Sequence, residues 1–219
     1  MLSGGVFMDD FAGGLAILKR RAAFSGYLIV AYLVFKLGSL VIDGLVLGGV
    51  FADVGEGSVA TAISLYLVAD VLVFIASVVL VSLWIHRAHA NLFAARLEGL
   101  EFTPGWSVGW FFVPIASLFK PFQAMRELYN RSRGDNDGYA ADSPADLVRW
   151  WGCYIVGSIA GNISFRLDDG SVTAPPTAAT LFSIISTVFL IGSAVLLKRI
   201  IDSTTVAQHS AMGIAETFA

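Results

Sequence analysis

The chain alternates long charge-poor runs with short polar breaks. Residues 24–50, 59–85, 147–165 and 177–197 form nearly continuous apolar stretches, each about 19 to 27 residues long against the roughly 20 needed to cross a hydrocarbon core of about 30 Å. Such runs predict four transmembrane helices. Lipid offers no partner for backbone N–H and C=O groups, so a crossing segment must satisfy them internally, and these runs lack the two-residue alternation of a membrane barrel.

A fifth hydrophobic segment, 104–130, is broken. Its most apolar part, 106–118, amounts to about 13 residues or roughly 20 Å of helix, too short for a perpendicular crossing. Pro114 interrupts even that, and Pro104 and Pro121 bracket it. Downstream, Leu118, Phe119, Phe122, Met125, Leu128 and Tyr129 recur at helical spacing, with Lys120, Gln123, Arg126, Glu127, Asn130 and Arg131 on the opposite side. That pattern predicts an amphipathic interfacial helix. The segment either re-enters on the same side or forms a short, tilted, Pro-kinked fifth span.

Charge placement separates these two layouts. If the segment returns, every Lys and Arg except Lys36 and Arg166 lies on the cytoplasmic side. A fifth full crossing would put the cations of 120–133 and the Lys198-Arg199 pair across the membrane, against the bias that orients membrane proteins. Four crossings are therefore the favoured layout. Lys19-Arg20-Arg21 directs the N-terminus to the cytoplasm, and the first run is expected to stay as an anchor behind a polar leader, 1–23. The loops 52–58 and 166–176 would face outward, and the polar loop 131–142 and the tail 202–219, expected to fray, would be cytoplasmic. Ser143, Pro144 and Asp146 mark the start of the third crossing. The expectation is an all-α integral membrane protein, with one helical membrane domain over 24–201.

Composition agrees. Hydrophobic residues make up 56% of the 219-residue chain and charged ones 14%, where soluble domains carry about a quarter charged; the mean hydropathy is +0.74. Cys153 stands alone, so no internal disulfide forms and compartment cannot be read from redox chemistry. The net charge of −3 gives no support for nucleic-acid binding.

Ionisable residues within the runs are the first chemical leads, because each is costly in hydrocarbon unless paired or hydrated. Lys36 and Asp43 lie two turns apart on nearly one face of the first run, and Asp70 is near the middle of the second. A contact of Lys36 with Asp70 or with Asp43 would serve either as a proton or ion relay or as an ion pair holding two helices in register. His86 and His89, one turn apart where the second run ends, share a face at a spacing that can bind metal or titrate near neutrality. The blander reading makes them polar interface residues. Gly105 with Gly109, and Gly157 with Gly161, form small-residue pairs that allow close helix approach, the second squarely inside a span. Trp106, Trp110, Trp150 and Trp151 fit interfacial anchors.

The runs WIHRAHANL at 84–92, FTPGWSVGWFFVPIA at 102–116 and KPFQAMREL at 120–128 resemble the signature of the bacterial DUF4328 domain family. The likeness covers about residues 60–201 and is most specific over 84–129. It implies a bacterial multi-pass membrane protein of unestablished function, and it carries over no catalytic residue.

The sequence contains no Ser-His-Asp arrangement, zinc-protease helix, phosphate-binding glycine loop or paired carboxylates. A non-enzymatic inner-membrane protein, structural, regulatory or accessory to a complex, is thus expected, without cofactor, and with lipid and a membrane-protein partner or a second copy as its neighbours. The alternative is a small ion, proton or solute transporter or channel using Lys36, Asp70 and the break at Pro114.

Overall fold

The computed structural model describes residues 3–50, 57–134, 144–168 and 176–217. Ser143 and most of the loops 52–58, 131–142 and 166–176 lie outside the described residues. Within them all regular structure is helical and there is no strand. The helices are α1 (Ser3–Leu47), α2 (Ser58–Ala94), α3 (Pro104–Gly109), α4 (Lys120–Arg131), α5 (Ala145–Asp168) and α6 (Pro176–Thr217), with 3-10 turns at Trp110–Phe112 and Ala116–Leu118.

Three helices contain stretches long and apolar enough to cross a membrane, Ala12–Leu47, Ser58–Ala94 and Thr177–Ser210. The expected third crossing is helical too, as α5, and its 24 residues are long enough. Arg149, the tryptophans and Asn162 dilute its apolar run, so it does not join those three on hydropathy.

The long helices overrun the expected boundaries. The leader is helical from Ser3, because Leu15, Leu18 and Ala22 form a one-sided apolar row that is buried. The tail continues α6 to Thr217 rather than fraying at 202, since Thr204, Thr205 and Gln208 are buried. At the other end of α1 the helix stops three residues short of the expected 50. Val50 N–H reaches Leu45 C=O at 3.0 Å and Gly49 N–H reaches Val46 C=O at 3.0 Å, with Gly49 at φ 71. This is a left-handed glycine cap that satisfies the last carbonyls. Helix α2 ends the same way, but with Arg96 at φ 52 where glycine is preferred, a substitution that costs about 1 kcal/mol.

The chain clusters into two units, the first made of 1–27, 78–148 and 197–219, the second of 28–77 and 149–196. In the first, Leu18, Trp84, Ile85, Leu92, Met125, Leu128, Leu147, Ile200 and Ile201 form a buried apolar core. Polar groups stitch it together. Trp84 Nε1 donates to Thr205 Oγ1 at 3.0 Å, Asn91 Nδ2 to Gln208 Oε1 at 3.1 Å, and Gln208 Nε2 to Ala88 C=O and Ser132 Oγ, both at 3.0 Å. Arg87 Nε donates to Asn91 Oδ1 at 2.9 Å and to Gly14 C=O at 3.3 Å, and a Cβ at Gly14 would collide with the guanidinium.

The second unit contains stretches of about 20 residues from α1 (28–47), α2 (58–77), α5 (149–168) and α6 (177–196), each roughly 30 Å long. Val34, Val41, Leu65, Leu72, Ile159 and Phe165 are exposed on them. Polar side chains turn inward. Ser183 Oγ donates to Asp43 Oδ2 at 2.8 Å, Ser186 Oγ to Gly157 C=O at 2.8 Å, and Ser164 Oγ to Ala179 C=O at 2.8 Å. A unit whose large apolar side chains face outward has the surface of a protein solvated by lipid.

Candidate functional site

The broken segment is built by local backbone chemistry. Thr103 caps α3 by accepting from Trp106 N–H at 3.4 Å, and Pro104 occupies the first turn, where its missing N–H is harmless. Pro114 forces the residue before it out of the helical region, and Val113 is extended at φ −91, ψ 116. Ile115 then takes φ 65 and ψ −53, the centre of a γ-turn closed by Ala116 N–H on Pro114 C=O at 2.7 Å, a strained conformation for a β-branched residue. The chain restarts as α4 with Pro121 in its first turn. Helix α3 has six residues, roughly 9 Å of rise, so 104–118 is no continuous helix.

None of residues 110–119 is buried. Phe112 is 71% exposed, Ile115 74% and Trp106 54%, and the Trp106 and Trp110 rings stand 4.8 Å apart. Leu118 and Phe119 are exposed as well. Here is a contiguous run of large apolar side chains carried on a bend.

A carboxylate latches the connection ahead of it. Glu127 on α4 accepts from Glu101 N–H at 2.7 Å and Phe102 N–H at 3.2 Å, while Arg131 donates to Glu98 C=O. Glu127 is 4% exposed. Burial pushes its carboxyl above the ordinary range; the two amide donors and Arg131 pull the other way, and Glu101 adds to the rise. The sequence placed Glu127 and Asn130 on an outward polar side of α4, and the structure corrects this. Both are buried beside Ala124, Met125 and Leu128, because Glu127 finds two backbone donors inside. Phe122, Arg126 and Tyr129 of α4 are not buried, nor are Phe119 just before the helix and Arg133 in the turn after it.

In the second unit Lys36 Nζ lies 2.7 Å from Asp70 Oδ2, with side chains 16% and 12% exposed. Lys36 also stands 5.2 Å over the Tyr32 ring. Asp43 is not part of this pair and is held by Ser183 instead. Oδ1 of Asp70 is buried without a hydrogen-bond partner among the described residues. A cavity of about 460 Å³ in this unit is lined by Ile42, Ser58, Val59, Ala62, Ile63 and Tyr66. Neither Lys36 nor Asp70 lines it.

The two histidines part company. His86 is exposed and His89 is buried, its Nδ1 3.1 Å from Ile85 C=O, so they do not converge as a ligand pair on one face. Among the described residues no cluster of three or more His, Cys, Asp or Glu could hold a metal ion. The glycine pairs differ too. A Cβ on Gly157 would sit 2.9 Å from Leu190 Cγ and one on Gly161 2.9 Å from Ser186 Oγ, so α5 meets α6 through this pair. Gly105 has nothing within 4 Å, and Gly109 meets only the Trp106 ring of its own helix. Trp150 and Trp151 are buried rather than interfacial, whereas Trp106 is exposed.

Sequence reading missed Glu127, Gln208 and the Trp84–Thr205 bond. Their partners lie far along the chain, as with the 121 positions between Trp84 and Thr205, and only the polar interruptions in apolar helical rows hinted at them.

These features define an all-helical chain with three helices of membrane-crossing length and hydropathy. A family model, the domain of unknown function DUF4328, matches residues 51–205. That is more than half of the chain, which belongs to the DUF4328 family. No curated protein and no solved structure matches it.

Proposed function

We propose that this chain is a non-enzymatic protein of the bacterial inner membrane, a structural, regulatory or accessory subunit. It crosses the bilayer four times, through α1, α2, α5 and α6, keeps both termini in the cytoplasm, and dips residues 104–118 into the cytoplasmic leaflet. Four stretches of about 30 Å support this reading, matching the hydrocarbon thickness. The third crossing, through the less apolar α5, is supported by its close seam with α6 at Gly157 and Gly161. A break at Pro114 with exposed Phe112, Ile115 and Leu118 supports the dip.

The observation that carries the non-transport reading is the closed pair of Lys36 and Asp70, neither of which lines the cavity bounded by Ile42, Ile63 and Tyr66. An ion pair used in this way fixes helix register. A small cation or proton transporter is the second reading, favoured by the unpartnered Oδ1 of Asp70.

Copurification of intact complexes from native membranes, followed by mass spectrometry, tests the accessory role, and recovery of the chain with no stoichiometric partner would sink it. Cysteine labelling tests the crossings. Gly134→Cys is expected to react from the same side as Arg20→Cys, and reaction from opposite sides rejects four crossings. Proteoliposome flux that Asp70→Asn abolishes would establish the transport reading instead.

A further inference from the structure

Residues 103–119 leave the core of the first unit and return to it at nearly the same point. On the way out Phe102 is buried, and its N–H and that of Glu101 are held by the two carboxylate oxygens of Glu127 on α4, at 3.2 Å and 2.7 Å. On the way back Pro121 is buried and Lys120 Nζ stands 5.6 Å from the centre of the Phe102 ring. Glu127 follows Pro121 by six positions, roughly 9 Å along the helix. Both ends of the loop are thus pinned to one short stretch of α4, and Arg131 adds a further tie by donating to Glu98 C=O.

Packing does not hold the loop beyond that base, since none of residues 110–119 is buried. Ile115 nevertheless keeps φ 65 and ψ −53 while 74% exposed, and a strained turn of this kind persists only where something outside the residue imposes it. The pinned ends, with Pro114 between them, impose it. Upstream of Glu101 the chain passes through Arg96 at φ 52 and Gly99 at φ 72, and even a Cβ at Gly99 would meet nothing within 4 Å. That stretch forms a joint that turns without repacking the core.

We propose that residues 97–119 form a hinged strap with two positions, and that the Glu127 carboxylate is the clasp that selects between them. This rests on the dipping of residues 104–118 proposed above. In the closed position the clasp shuts the base of the loop, keeps Ile115 in its γ-turn and holds Phe112 and Ile115 in the leaflet. In the open position the amides of Glu101 and Phe102 part from Glu127, the chain turns at Gly99, Ile115 relaxes to extended backbone and the apolar tip withdraws from the acyl chains. Helix α4 keeps Ala124, Met125 and Leu128 in the core in both positions, so the motion belongs to the strap alone. Glu127 is thereby a positioning residue for the dip.

The test uses the full chain in nanodiscs. Hydrogen exchange compares the amides of Glu101 and Phe102 with those of Met125 and Leu128. A dye on Phe112→Cys in a Cys153→Ser background, quenched by brominated acyl chains, reports depth. In the native chain the Glu101 and Phe102 amides are expected to exchange at least about tenfold faster than those of Met125 and Leu128, through a local opening. In Glu127→Ala their exchange is expected to rise by about a further tenfold while Met125 and Leu128 stay protected, and quenching is expected to fall by about half as the open position fills. Glu127→Gln keeps the shape and one acceptor oxygen, so it is expected to fold and to lie between the native chain and Glu127→Ala in both readouts. Equal protection of all four amides in the native chain overturns the strap, because it then opens only with the core. Faster exchange in both variants with quenching unchanged also overturns it, because Glu127 then makes a local bond that does not set depth. Either result leaves the dip standing. Absence of quenching in the native chain overturns the dip and the strap with it.

Discussion

Replacing Asp70 with Asn would leave the Lys36 ammonium facing an uncharged amide inside a helix pair. The native contact is 2.7 Å long and its side chains are 16% and 12% exposed, so little water is present to take over the lost charge. Removing one member of a buried pair costs about 3 to 5 kcal/mol, and an unpaired charge in mid-span costs about 2.5 to 3.5 kcal/mol on insertion scales. A loss of about 3 kcal/mol corresponds to a drop in Tm of about 6 to 12 °C for a chain of this size. Lys36→Met is expected to cost a similar amount by stranding the carboxylate. The double variant Lys36→Met/Asp70→Leu removes both charges and is expected to recover to within about 1 kcal/mol of the native protein. Thermal unfolding of the full chain in nanodiscs, followed by intrinsic tryptophan fluorescence, measures all four. Single variants within about 2 °C of the parent, or a double variant as unstable as the singles, would refute the reasoning.

Gly157→Ala places a methyl 2.9 Å from Leu190 Cγ and 3.2 Å from Ser186 C=O, and is expected to lower stability by about 1 to 3 kcal/mol; Gly105→Ala, with nothing within 4 Å, is expected to leave the same melting curve in place. Thr205→Val keeps the shape but leaves the buried Trp84 indole N–H without its acceptor, for a loss of about 1 to 3 kcal/mol visible as faster hydrogen exchange at that indole. Glu127 binds its proton more tightly folded than unfolded, so its stabilising contribution is complete below the ordinary carboxylate pKa and disappears as pH rises through the raised folded value. The Tm of the native protein relative to Glu127→Gln is therefore expected to fall as pH rises above the ordinary carboxylate range, and a rise would contradict the assignment.

Membrane character was legible because hydropathy is local: a window over 59–85 contains all that is needed to recognise α2. The break at Pro114 was legible for the same reason, since one residue removes an N–H and constrains its neighbour. Length beyond the apolar runs was not. Residues 12–23 and 198–210 mix charges with apolar positions, and that mixture reads as a solvated leader and a frayed tail until Leu18 and Gln208 are seen buried in one core. Their partners are remote, Asn91 and Ser132 meeting Gln208 across 117 and 76 positions, and no local pattern encodes that. The faces of α4 were misread for a related reason. Carboxylates and amides are polar by composition, but Glu127 is satisfied by two backbone donors from another segment, which frees the outer side for aromatic rings and arginines. The same small-residue motif had two outcomes, because α5 is 24 residues long and has α6 beside it, while α3 is a six-residue stub.

The energetics of the Lys36–Asp70 pair also bear on how this chain acts. A permeation path through that point requires the pair to part, and at about 3 kcal/mol the parted state would be populated in roughly one molecule in 150. A substrate improves those odds only by taking the ammonium's place on Asp70 or by joining it at the unpartnered Oδ1, which limits the transport reading to cations or proton donors.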